Sequence, residues 1–161
     1  MTPGLESLRD WRCALGLGLG SGLLRPAPGT WGTLAAVPMA WLLMHVSLPV
    51  ALALVAVSAV AGIALCEHTA KALGVHDHPA IVWDEFVGLW LTVLFAPATW
   101  LGLIAAFTLF RVFDIAKPWP IRWCDRQVSG GLGIMLDDLL AGVGAGVVLL
   151  GLSAAGWLGG N

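Results

Sequence analysis

Three acidic knots interrupt an otherwise lipid-like chain: Asp84-Glu85, Asp114 between Arg111 and Lys117, and Asp137-Asp138. A charged side chain at membrane depth is costly unless it pairs, binds an ion or faces water, so such residues are the first candidates for chemistry. Asp84 and Glu85 follow Ile81-Val82-Trp83 and precede Phe86-Val87-Gly88, so they belong to no polar linker. Adjacent carboxylates in apolar surroundings repel each other unless a cation neutralises them. On a helix they project about 100° apart, so one faces a shared site squarely and the other flanks it. Asp137 and Asp138 lie between Leu136 and Leu139. The helix dipole favours aspartates in a first turn, but two of them with apolar residues on both sides point further, to metal ligation. A donor set made of carboxylate oxygens without cysteine suits Mg²⁺ or Mn²⁺ rather than zinc.

The densest stretch runs from Phe110 to Arg122. Arg111 and Asp114 are three residues apart and share a helical face, which gives an internal ion pair as the simplest expectation. Pro118 pushes Lys117 out of helical geometry, and Pro120 extends the break. Lys117, Arg122 and Arg126 are thereby expected to leave the helix near the headgroup level, where they meet lipid phosphates. In Pro28-Gly29-Thr30-Trp31-Gly32-Thr33 the glycines allow close backbone approach, and the hydroxyls of Thr30 and Thr33 can bond phosphate. The blander alternative makes Thr33 the N-cap of a helix beginning at Leu34. His76, Asp77 and His78 read as a solvated polar loop. Cys13, Cys66 and Cys124 lack the close spacing of zinc or dithiol sites and read as packing residues. None is followed six positions later by Arg, which excludes the thiol-phosphatase loop.

The elements that must position these residues follow from composition. Hydrophobic residues make up 58% of the 161 and charged residues 11%, the balance of an integral membrane protein. The length fits one domain, residues 1–161, with all-α architecture. A net charge of -2 offers no basic field for nucleic acid; the expected partners are the bilayer and a phospholipid. Five apolar runs, 34–48, 50–66, 81–96, 98–113 and 139–158, predict a polytopic bundle of about five short spans, some only half-buried. Pro49 and Pro97 read as tight turns between paired runs. Leu15 to Leu24 reads as an interfacial or re-entrant segment of the mature chain, with Arg25-Pro26 where a signal peptide would need a cleavage site. The loop from Gly130 leads flexibly into the last run. Basic residues collect in the linkers, at Arg9, Arg12, Arg25, Lys71, Arg111, Lys117, Arg122 and Arg126, while the turns at Pro49 and Pro97 have none. The positive-inside rule then places the acidic knots on the cytoplasmic side. Trp31, Trp83, Trp119 and Trp123 are expected at the headgroup layer.

The runs PGTWGT at 28–33, IVWDEFVG at 81–88, FRVFDIAKPWPIRWCDR at 110–126 and GGLGIMLDDLLAG at 130–142 resemble those of phosphatidylglycerophosphatase A. The resemblance runs from about Gly20 to the last span. It implies a bacterial inner-membrane enzyme that requires Mg²⁺ and hydrolyses phosphatidylglycerophosphate to phosphatidylglycerol and phosphate. Carried onto this chain, it implies that Asp84, Glu85, Asp114, Asp137 and Asp138 hold one or two Mg²⁺. Arg111 and Lys117 would stabilise charge on the transferring phosphoryl group, and Arg122 and Arg126 would grip the second phosphate of the lipid. Two rivals fit less well. A CDP-alcohol-type lipid phosphotransferase carries regularly spaced aspartates that this chain lacks, and a small membrane transporter would place its carboxylates mid-span within internal repeats.

Overall fold

In lipid a long apolar stretch satisfies its backbone only as a helix or within a closed barrel, and every regular element among the described residues is helical. The computed structural model describes residues 3–158. Its α-helices are α1 (Trp11–Gly16), α2 (Pro28–Ala35), α3 (Val37–Leu43), α4 (Leu48–Leu73), α5 (Trp83–Val93), α6 (Trp100–Ala116), α7 (Ile121–Gln127) and α8 (Gly130–Ala154). Leu5–Arg9 and Gly18–Leu23 form 3-10 turns. Helix α8 is the axis of the bundle and packs against α4, α5, α6 and α7. Among the described residues, α4 and α8 are the helices long and apolar enough to cross a membrane. At 1.5 Å per residue α5 and α6 reach only about 17 and 26 Å, short of the ~30 Å hydrocarbon core. Two of the five expected runs, 50–66 and 139–158, therefore fall in helices of membrane-crossing length.

Several boundaries differ from the expectation, each for a local reason. The run 34–48 is not one helix: α2 ends at Ala35 and α3 restarts at Val37 with Pro38 in its first turn. Pro49 does not make a turn either. It lies in the first turn of α4, where its missing N–H is harmless, and the turn itself comes just before, ahead of Ser47. Helix α4 continues past Cys66 and stops at Gly74, whose φ of 69° is the usual left-handed end. The segment from Gly130 is not a flexible loop but the start of α8. A Cβ on Gly131 would collide with the Ile63 carbonyl, so α4 and α8 touch backbone to backbone there. That contact outweighs the weak helix propensity of the glycines. Leu15 to Leu24, expected as an interfacial or re-entrant segment and not as a span, comprises the end of α1 and a 3-10 turn, with the Gly16 carbonyl accepting from the Val82 N–H at 2.9 Å.

The outward faces of α4, α6 and α8 expose Val57, Val60, Ile104, Ile115 and Val147. Apolar side chains exposed along several neighbouring helices make the surface of a membrane-associated protein rather than of an ordinary soluble one.

Candidate active site

The crossing of α5 and α8 creates the site. A Cβ on Gly142 would lie 2.8 Å from the Gly88 carbonyl, and one on Gly88 would lie 3.1 Å from the Asp138 carbonyl. Only glycine allows two helices to approach so closely. Asp84 stands one turn before Gly88 and Asp138 one turn before Gly142, so the same crossing brings both carboxylates to one end of the contact.

At that end lies a cleft of about 380 Å³ whose lining includes Asp84, Glu85, Asp114, Asp137 and Asp138, together with Arg111 and Lys117. All three acidic knots thus meet in one place, with both members of each adjacent pair on the wall. The two members nevertheless differ in their partners. Glu85 pairs with Arg111 at 3.4 Å and Asp137 pairs with Lys117, whereas Asp84 and Asp138 have no cationic partner among the described residues. Asp138 is 3% exposed. It lies two turns inside α8, not in a first turn, so the helix dipole does not account for it.

Arg111 is fixed from three elements. Its guanidinium donates to Asp114, the expected pair on its own helix α6, to Glu85 on α5, and to Thr33 Oγ1 on α2 at 3.4 Å. Thr33 is fully buried and donates to the Gly29 carbonyl at 2.8 Å, so it is an interior residue of α2 and no N-cap. A Cβ on Gly29 would collide with Glu85 Oε1 and approach Arg111 Nη2 at 3.2 Å, which explains the glycine. Thr30 lies half-buried on the same helix but is not among the cleft-lining residues.

Lys117 ends α6 in the left-handed conformation, φ 42°, just before Pro118. A non-glycine residue there is strained, and its side chain lines the cleft. Its ammonium donates to Asp125 Oδ1 at 2.6 Å and to Asp137. Partial burial disfavours the charge, but these two hydrogen bonds outweigh it and hold Lys117 above the usual lysine range. Arg122 and Arg126 do not reach the cleft. They stand on α7, an element absent from the sequence-based reading, and line a separate groove of about 500 Å³ with Trp119 and Trp123. Lys117 borders both spaces.

Residues that the spacing did not single out also contribute. Asp77 and His78 line the cleft, so the 76–78 loop is part of the site wall and not only solvated surface. Glu67 accepts from the Gly131 N–H at 2.6 Å and pairs with Lys71, which ties the end of α4 to the start of α8. Both signals were present as polar residues beside apolar helices, but nothing in their spacing tells which face they occupy. Cys13 gathers with Asp10 and His68. Burial pushes its thiol up, and the carboxylate of Asp10, held low by its hydrogen bond to His68, already accepts from the Arg12 N–H. That group reads as a capped, packed helix start.

The donor set of the cleft fits a divalent cation. Asp84 Oδ1, Glu85 Oε2 and Asp138 Oδ2 are buried without a hydrogen-bond partner. Buried carboxylate oxygens left unpaired are costly, and hard cations take oxygen ligands of this kind.

The family model described as phosphatidylglycerophosphatase A matches residues 14–153. The phosphatidylglycerophosphatase A of Escherichia coli (strain K12) is 48% identical over 140 residues, 86% of this chain and 81% of the relative. That of Haemophilus influenzae (strain ATCC 51907 / DSM 11121 / KW20 / Rd) is 44% identical over 140 residues, 86% of each chain. No solved structure matches.

Proposed function

Since the chain belongs to the phosphatidylglycerophosphatase A family of lipid phosphatases, we propose that its acidic cleft hydrolyses phosphatidylglycerophosphate to phosphatidylglycerol and inorganic phosphate. The single observation that carries this reading is the convergence of all three acidic knots with Arg111 and Lys117 on one cleft. Phosphoryl transfer is governed by positioning and charge stabilisation, and such a wall supplies both.

Asp84, Glu85, Asp114, Asp137 and Asp138 would hold Mg²⁺. When bound, a divalent cation neutralises phosphate charge and lowers the pKa of water. Arg111, locked by Thr33, Glu85 and Asp114, presents a fixed guanidinium to the oxygens of the phosphoryl group. Lys117 presents a point charge from the C-terminal end of the same helix, α6, and stays protonated through the neutral range. Thr33 acts by holding Arg111, and Thr30 is a further hydroxyl near the α2 start. The reaction adds water across the P–O bond: the phosphoryl group takes the hydroxide, and the glycerol oxygen takes the proton. Arg122 and Arg126, beyond Lys117, grip the diester phosphate where Trp119 and Trp123 meet the headgroup layer.

The same reading puts the chain in a bacterial inner membrane as a multi-pass protein, with α4, α8 and the shorter helices making up about five spans, some incomplete. Lys71, Lys117, Arg122 and Arg126 lie towards the cleft end of the bundle, which supports a cytoplasmic site by the positive-inside rule. The test is direct. Purified protein given phosphatidylglycerophosphate and Mg²⁺ should release free phosphate, stop in excess EDTA, and recover with Mg²⁺ or Mn²⁺ without zinc. Full turnover in EDTA would overturn the metal assignment, and no phosphate release under any cation would overturn the activity.

A further inference from the structure

The cleft has two neighbouring spaces, one rimmed by indoles and one without. On the Lys117 side is the groove of Arg122 and Arg126, rimmed by Trp119 and Trp123, which are 84% and 58% exposed. On the other side is a vestibule of about 280 Å³ between the 22–28 segment and the 78–80 turn. Cleft and vestibule share Pro28, His78 and Pro79, so these residues stand where the two spaces adjoin. Of the three, only His78 has a side chain that can hydrogen-bond. Its Nδ1 accepts from the Ala80 N–H at 3.1 Å, and its carbonyl accepts from the Ile81 N–H at 2.8 Å. A ring that accepts at Nδ1 carries its proton on Nε2, so His78 offers one N–H donor at the junction. Arg25 adds a cation on the vestibule wall, and no tryptophan lines that space.

We propose that this vestibule is the exit site for inorganic phosphate, which Arg25 and His78 bind as it leaves the cleft. The proposal rests on the hydrolysis reading above. A lipid must keep its tails in the bilayer, so it belongs on the side where exposed indoles mark the headgroup layer. The freed phosphate has no such tether. It is a small anion with only acceptor oxygens, and a space offering one guanidinium and one N–H donor is complementary to it. Separate doors also fit an in-line displacement, in which the attacking water and the leaving alcohol occupy opposite sides of the phosphorus.

Product inhibition tests this. With the full chain in detergent micelles and phosphatidylglycerophosphate as substrate, added inorganic phosphate should inhibit the unaltered protein. In Arg25→Ala and in His78→Asn the ratio of the phosphate Ki to the lipid KM should rise about fivefold or more, the size expected for losing one donor to an anion. Asn at 78 can still accept from the Ala80 N–H through an Asx turn, so the turn is kept while the distal donor is lost. His78→Gln, which extends an amide N–H towards the place of Nε2, should restore part of the ratio. An unchanged ratio in both Arg25→Ala and His78→Asn overturns the exit site, as does an absence of phosphate inhibition in the unaltered protein. A rise confined to the lipid KM overturns it too, by assigning the vestibule to the headgroup. An unaltered protein that releases no phosphate from the lipid would instead fail the hydrolysis reading itself.

Discussion

At the residue scale, the partners of each carboxylate divide the site. Asp84, half-buried, and Asp138, buried, have no cationic partner among the described residues, while Glu85 and Asp137 pair with Arg111 and Lys117. Asp84→Asn and Asp138→Asn keep the shape and remove a ligand charge, so kcat should fall by about 100-fold or more. In excess EDTA the same variants should melt at a higher temperature than the unaltered protein, because each removes a desolvated, mutually repelling charge. Detergent melting curves beside turnover assays check this. A variant that loses activity and stability together would make that aspartate structural. Arg111→Lys should also lose most of kcat: Nη1 makes the contacts to Thr33, Glu85 and Asp114, and an ammonium put in its place leaves no second nitrogen of a planar fork to meet the phosphoryl oxygens. For Lys117 the folded state raises the pKa, so its stabilising contribution is complete below the ordinary lysine value. That contribution disappears only as pH climbs through the raised one. Alkaline loss of activity below about pH 10 should therefore persist in Lys117→Arg, as a pH profile of kcat would record.

At the element scale, the α5–α8 crossing determines whether the acidic knots meet. Gly142→Ala puts a Cβ 2.8 Å from the Gly88 carbonyl, and the helices must part to accept it. A loss of about 1 to 3 kcal/mol in stability is expected, with a larger proportional fall in kcat because Asp84 and Asp138 separate. Gly151→Ala on the same helix is the control: nothing lies within 4 Å of the added carbon. It should be neutral or stabilising by up to about 1 kcal/mol through helix propensity. Equal behaviour of the two variants in thermal unfolding would refute the role given to the crossing.

At the scale of the whole molecule, a native cysteine reports sidedness. Cys124 is partly exposed on α7 near the cleft end, while Cys13 and Cys66 are buried. A membrane-impermeant maleimide should leave Cys124 unlabelled in intact spheroplasts and label it in inside-out vesicles. Labelling from the outer face alone would reverse the topology and detach the site from the cytoplasm.

The sequence by itself determined the membrane character, the all-helical class and the list of reactive side chains. These are properties of composition and of charge set against apolar neighbours, and they survive any arrangement of helices. It also disclosed the break at Lys117, because Pro118 restricts the residue before it whatever the fold. It could not decide helix length at glycine-rich segments, where propensity argues for a loop and a backbone contact such as Gly131 on Ile63 argues for helix. It could not show that Glu85 and Asp137 would serve cations while Asp84 and Asp138 stay unpaired, nor that Asp77 and His78 join the wall while Arg122 and Arg126 stand outside it. Those outcomes depend on which helices touch and at what closeness. The contact between Gly88 and Gly142 joins residues far apart in the chain, and only the packed structure brings them together.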